Sequence, residues 1–170
     1  KPDISFSSER KTYRIEETEL LESFSQKLNT SVFTVILSVI SFCFSRIKQN
    51  ADSFFIGTTV LNRNGEKERN TMGIYVNTVP VLMKPDYTKT VSENIASVGA
   101  DVLSVLRHQK FNYTDILEEL GKGKLFDILV SYQNAQIVNG ETIIEWYHNG
   151  MQPENLQIHI EDHDADGTLK

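Results

Sequence analysis

The chain has 170 residues, 17 Lys+Arg against 23 Asp+Glu for a net charge of −6, and 39% hydrophobic residues. That is apolar material enough for one core without disulfides or a structural metal, and it excludes collagen-like, disulfide-scaffold and disordered chains. Duplex binding needs clustered Lys and Arg to neutralise phosphates, and neither the acidic balance nor the sequence offers such a cluster, so nucleic acid is excluded as a partner.

The chain opens Lys1-Pro2-Asp3 without Met or a signal-peptide pattern, so an excised piece of a longer protein is expected. Residues 11–15 put Tyr13 and Ile15 on one side of a short strand. Thr18 stands at an N-cap position ahead of Leu20, Leu21, Phe24 and Leu28, which recur at helical spacing. Asn29 or Thr30 then caps a second helix to about Gln49, whose Val32, Val35, Ile36, Val39, Ile40 and Cys43 lie three and four apart and should cross the core. Its apolar run, 32–44, is broken by Thr34, Ser38 and Ser41 and falls short of the roughly 18 residues of a bilayer span, so no membrane association is expected. A lone Cys43 on that face reads as a small core residue, and the absence of a second cysteine points to a reducing, cytoplasmic compartment.

Residues 53–61 are apolar and β-branched, hence a strand, and 62–70 form a polar loop. Residues 75–83 form a second strand, in which Pro80 has no amide to donate and calls for an edge position or a break in the ladder. Thr90-Val91-Ser92-Glu93 is a capping box that opens a helix to about Arg107. A shorter helix over 114–120 stops at Gly121, followed by the loop Lys122-Gly123-Lys124. Residues 126–132 are apolar on both faces apart from Asp127 and Ser131, which suits an inner strand covered on both sides. Strands are also expected over 142–148 and 155–161, the latter alternating Leu156, Ile158 and Ile160 with Gln157, His159 and Glu161. The fold class is therefore α/β, a layered mixed sheet with helices, the mixture expected from short connections between the last strands.

Motif chemistry is sparse. Asp162-His163-Asp164-Ala165-Asp166-Gly167 matches the opening of a calcium loop, but a strand precedes it and no bidentate Glu follows, so an acidic hairpin turn is the better reading. His108, His148, His159 and His163 lack zinc-site spacing, and no metal is expected. Phosphate loops and nucleophile elbows are absent, and Gly121 to Lys124 follows a helix instead of preceding one. Polar side chains within the apolar stretches 72–80 and 126–134 must be hydrogen-bonded to neighbouring backbone or line a cavity.

Those two stretches, with their order and spacing, resemble the condensation domains of nonribosomal peptide synthetases over nearly the whole chain. Residues 29–44 with Ile56-Gly57-Thr58-Thr59-Val60 and Asn62-Arg63-Asn64 resemble the family's helix, strand and Gly-Arg-Asn-type loop. Met72-Gly73-Ile74-Tyr75-Val76-Asn77-Thr78 is similar to its Gly-x-Phe-Val-Asn-Thr motif, with Tyr75 at the Phe position. Arg107-His108-Gln109-Lys110-Phe111-Asn112-Tyr113 is similar to its His-Gln-x-x-Pro-Phe motif, and Leu125-Phe126-Asp127 with Ser131-Tyr132-Gln133-Asn134 to the segment that follows. Leu82 stands where many members carry Arg, Asn112 replaces the usual Pro, and Gly121 to Lys124 replaces a Ser-Arg-Asn-Pro-like approach. The family's catalytic His-His-x-x-x-Asp-Gly is not in this chain, and His163 to Gly167 does not substitute for it.

The resemblance implies a chloramphenicol-acetyltransferase-like fold of two lobes with a tunnel between them, of which residues 1–170 are the C-terminal lobe, a single partial domain. It implies amide formation between thioesters carried on phosphopantetheine, no directly bound cofactor, and carrier-protein domains, the missing N-terminal lobe and an adenylation domain as partners. This chain alone is expected to be inactive. Asn77, Thr78, Ser131, Tyr132, Gln133 and Asn134 are the implied tunnel-wall residues, and Gly73, Tyr75, His108, Gln109, Phe126 and Asp127 the structural ones. Rival readings are a lobe of a free-standing acyltransferase or epimerisation domain, and a non-catalytic module that binds carrier proteins.

Overall fold

The computed structural model describes residues 8–49, 51–133, 153–161 and 169. The elements in order are α1 (Thr18–Lys27), α2 (Val32–Ile47), β1 (Phe54–Val60), α3 (Glu66–Arg69), β2 (Asn77–Met83), α4 (Val91–Arg107), α5 (Tyr113–Glu119), β3 (Phe126–Gln133) and β4 (Leu156–Glu161). The strands form one sheet in the order β2-β1-β3-β4. β1 pairs antiparallel with β2 and parallel with β3, and β3 pairs parallel with β4. The sheet is mixed as expected, but for a different reason: the antiparallel pair is β1/β2, and the last two described strands run parallel.

One sheet face carries Ile56, Val81, Met83, Ile128, Val130 and Ile160 into a core closed by Leu37 of α2 and Val102 of α4. Full burial of such side chains contributes roughly 1.5–3 kcal/mol each. Pro80 lies on the outermost strand β2, opposite Gly57, where its missing amide costs little. β3 is the inner strand that its doubly apolar sequence requires. The capping box forms, with Glu93 N–H donating to Thr90 Oγ1 at 3.3 Å and Thr90 N–H to Glu93 Oε2 at 2.8 Å. Gly121 takes φ +60 just past α5 and ends it.

Several local expectations shift. Residues 11–15 contribute a single bridge, Ile15 N–H to Leu169 O at 2.9 Å, and no strand. The N-cap of α1 is Glu17; Thr18 lies inside the helix and donates to Ile15 O. Ser31, not Asn29 or Thr30, caps α2, because its side chain is the one placed to accept from Thr34 N–H at 3.1 Å, while Asn29 takes φ +51 in the turn before it. The polar loop after β1 contains the short helix α3, and β2 begins at Asn77, two residues later than its apolar run.

On α2, Val35 is buried and Val32, Ile36 and Ile40 pack against the core as expected, whereas Val39 is 55% exposed and Cys43 is exposed. The buried face of this helix also takes in Thr34, Leu37, Ser38, Ser41 and Ser45. The helix is rotated towards its small residues because α4 approaches closely: a Cβ on Gly99 would stand 3.4 Å from Thr34 Cγ2. Two of the hydroxyls tolerate burial by donating to backbone, Ser38 to Thr34 O at 2.7 Å and Ser45 to Ala51 O at 3.0 Å, while Ser41 Oγ is buried with no hydrogen-bond partner among the described residues. No single helix among the described residues is long and apolar enough to cross a membrane. The strand expected over 142–148, the acidic turn at 162–167, Lys1 to Asp3 and Asn134 lie outside the described residues.

Candidate functional site

Two polar assemblies meet at the end of the sheet where β1 finishes and β2 begins. The first ties the 62–77 connection to the turn between α4 and α5. The Arg63 guanidinium donates to Glu68 O, to Thr71 O at 2.7 Å and to Gly73 O at 2.7 Å, and lies over the Tyr75 ring 4.3 Å from its centroid. A planar fork of donors suits that convergence of carbonyls, which an ammonium would not reach together. Gly73 takes φ +142, a conformation open to glycine, so its place in the motif has a backbone cause.

Across the gap, Asn77 Nδ2 donates to Gln109 O at 2.9 Å and Phe111 O at 2.7 Å, and its Oδ1 accepts from Thr78 N–H at 2.9 Å. Gln109 Nε2 donates to Asn64 Oδ1 at 2.9 Å, and Lys110 Nζ donates to Asn62 O at 3.0 Å and Glu68 Oε1 at 2.7 Å. The Lys110 hydrogen bond, aided by Asn64 N–H at 2.7 Å, holds the Glu68 carboxyl down to about 2. His108 is the exposed C-cap of α4, so among the motif residues of this turn its contribution is main-chain, N–H to Val105 O at 2.9 Å.

The second assembly is a row of polar side chains on the sheet face opposite the core. Thr78 is directly across from Thr59, Thr59 Oγ1 and Ser131 Oγ are hydrogen-bonded at 2.9 Å, and Ser131 is registered with His159. The row therefore crosses all four strands in order. Ser131 is 3% exposed, and its hydroxyl stays satisfied through Thr59. Partial burial, then the Arg10 charge, push His159 below its usual range against the opposing pull of Glu161.

Tyr132 points to the other face, where its ring stands 5.8 Å from that of Phe33. Gln133 ends β3, half-buried. Phe126 is buried, with its ring 4.9 Å from that of Tyr113, whose hydroxyl accepts from Leu125 N–H at 3.0 Å. Asp127 pairs with Lys124 at 3.1 Å and Lys48 at 3.9 Å, which ties β3 to the C-terminus of α2. Thr78 and Ser131 are thus brought onto one face, Asn77 acts beside them through backbone, and Tyr132 stands on the reverse side. Thr59, the link in the row, is not marked out by the sequence; its adjacency to the motif threonine needs the antiparallel register to become visible. Among the described residues no cluster of His, Cys, Asp and Glu is arranged to hold a metal ion.

A family model described as the Condensation domain matches residues 1–167. Over 155 residues the chain is 28% identical to Surfactin synthase subunit 1 of Bacillus subtilis (strain 168), covering 86% of this chain and 4% of that protein. Over 123 residues it is 27% identical to Tyrocidine synthase 3 of Brevibacillus parabrevis, covering 69% of this chain and 2% of that one. The chain therefore spans a small fraction of the curated relatives it matches. The condensation domain from Monacolin K polyketide synthase MokA superposes with a TM-score of 0.79 at 18% identity, over 99% of this chain and 43% of that one.

Proposed function

Since the chain belongs to the Condensation domain family, we propose that it is the C-terminal lobe of a nonribosomal peptide synthetase domain that joins two carrier-bound thioesters through an amide bond. In this reading the attacking amine and the donor thioester, each on the phosphopantetheine of a carrier-protein domain, meet in a tunnel between this lobe and an N-terminal lobe bearing His-His-x-x-x-Asp-Gly. Holding two tethered reactants in reach supplies much of the rate, and the histidine of the other lobe positions or deprotonates the amine. The observation that supports the reading is the coverage: 99% of this chain superposes on 43% of the solved MokA condensation-domain chain. An adenylation domain is the expected neighbour, and the cytoplasm the expected compartment.

The tunnel-wall residues on this side are Thr78, Ser131 and Gln133, with Tyr132 on the reverse side of the strand and Asn134 next to Gln133 in sequence. Asn77 is a positioning residue, because both its N–H groups are taken by Gln109 O and Phe111 O. In the Thr59-Ser131 pair Thr59 Oγ1 donates to Ser131 Oγ, which leaves the Ser131 hydroxyl proton to hydrogen-bond a thioester or amide oxygen without proton transfer. In the full-length polypeptide, Ser131→Ala with Thr78→Val is expected to slow amide formation at least tenfold with carrier loading unchanged, read by intact-protein mass spectrometry. An unchanged rate removes this face from the tunnel.

A further inference from the structure

On the core side of the sheet, at the carboxyl ends of the parallel strands β1 and β3, a cleft of about 1000 Å³ opens between the sheet, the N-terminal turn of α2, and α4. Open α/β sheets hold ligands at such strand ends, and this volume is at the upper end of the roughly 300–1000 Å³ typical of small-molecule sites. The strands contribute Val60, Val79 and Tyr132, α2 contributes Phe33, and α4 contributes Leu103 and Leu106. In a chain with 24% charged residues, none of the described lining residues is charged.

The lining also holds uncharged polar side chains, of which Gln26, Asn29 and Thr30 lie at its edge and several others are hydrogen-bonded within the protein. Thr58 Oγ1 donates to Val130 O at 2.9 Å, Ser31 and Thr34 share a hydroxyl hydrogen bond at 2.9 Å, and Gln109 Nε2 is held by Asn64. An ionised ligand would lose its hydration there and find no counter-ion, at a cost that apolar contact cannot offset. An alkyl chain would give up only water. The cleft exceeds what one amino-acid side chain fills, and Tyr132, between Ser131 and Gln133 of the proposed wall, also lines it.

We infer that this cleft is a side pocket within the lobe that takes the uncharged, apolar acyl chain of an acyl thioester, entering past Tyr132. The thioester part of this assignment rests on the condensation reading; the charge-free character of the pocket stands on its lining. Leu103 (59% exposed) and Leu61 (73% exposed) edge the cleft, so each can be replaced without opening the core, and Val39 (55% exposed) offers an equally exposed position outside it.

The test is calorimetric titration of the full-length polypeptide with octanoyl-N-acetylcysteamine and with the suberyl thioester, of the same chain length but ending in a carboxylate. The octanoyl probe should bind at least tenfold more tightly; Leu103→Glu and Leu61→Glu should each weaken it at least tenfold, and Val39→Glu should leave it unchanged, with circular dichroism unaltered in all three. No octanoyl binding, equal binding of the two probes, or indifference to both cleft substitutions overturns the inference. Because binding is read without turnover, the outcome is separate from the condensation reading: charge-selective binding with no amide formed from loaded carriers refutes only the latter, and amide formation with indifferent binding refutes only the pocket.

Discussion

Gly57→Ala gives the sharpest test of how β1 seats against β3. A Cβ built on Gly57 stands 2.4 Å from Phe126 Cε2, 2.5 Å from Cζ and 2.8 Å from Cδ2. That is about 1 Å short of carbon–carbon contact. The ring cannot swing freely, since Phe126 is 5% exposed and rests on Tyr113, itself fixed by Leu125 N–H. Inserting a methyl group into such packing costs about 1–3 kcal/mol, and at about 2 kcal/mol the folded-to-unfolded ratio falls roughly 30-fold. Equilibrium urea unfolding should show the midpoint falling with the slope unchanged. In a Phe126→Leu background, where the ring atoms are gone, the same substitution should cost less than half as much, a coupling the double-mutant cycle reads directly. A Gly57→Ala cost within ~0.5 kcal/mol of zero, or equal costs in both backgrounds, would refute the close approach.

Three further expectations concern the polar assemblies. Asn77→Ala removes both amide donors from Gln109 O and Phe111 O, so stability should drop by about 1–2 kcal/mol, and hydrogen exchange over 109–113 should quicken while the interior of α4 stays protected. Arg63→Lys keeps the charge but cannot serve three carbonyls; proteolysis within 66–76 should accelerate as much as in Arg63→Ala, and full protection by Lys would contradict the fork geometry. Glu68 has its folded-state value depressed from 4.5 to about 2. Its contribution is therefore fully present above 4.5 and is lost as pH falls through about 2. Carboxyl chemical shifts should place its midpoint near the lower value, and in Lys110→Ala should move it back towards 4.5.

Elements with a single strong local cause are legible in the sequence. The Thr90-Glu93 box, the Gly121 stop, the Pro80 edge strand and the apolar β3 each depend on residues that are neighbours in sequence, and each stands within a residue or two of its expected place. The face of α2 is legible in Val32, Val35, Ile36 and Ile40, but its edge is not: the close approach beside Gly99 and Thr34 turns the helix enough to bury Ser38 and Ser41 and to leave Val39 and Cys43 exposed, which only tertiary contact decides. The α2 cap slips by one or two positions where Asn29, Thr30 and Ser31 adjoin, and the α1 cap by one, to Glu17, which makes no side-chain cap hydrogen bond. At the candidate site, the motif order brings out Asn77 and Ser131, but the Asn77 clamp on the α4–α5 turn spans 32 and 34 residues and the Thr59-Ser131 bond spans 72. Such pairings are set by sheet register, which the local pattern does not carry.

Whether this chain is a lobe of an amide-forming condensation domain is decided by intact-mass analysis of two carrier proteins, one loaded with an acyl group and one with an aminoacyl group. They are incubated with the full-length polypeptide and, separately, with the 170-residue chain. The acyl group should move to the acceptor carrier as an amide with the full-length polypeptide and should stay in place with the chain alone. Loaded carriers left unchanged by the folded full-length polypeptide, or turnover by the isolated chain, would contradict the assignment.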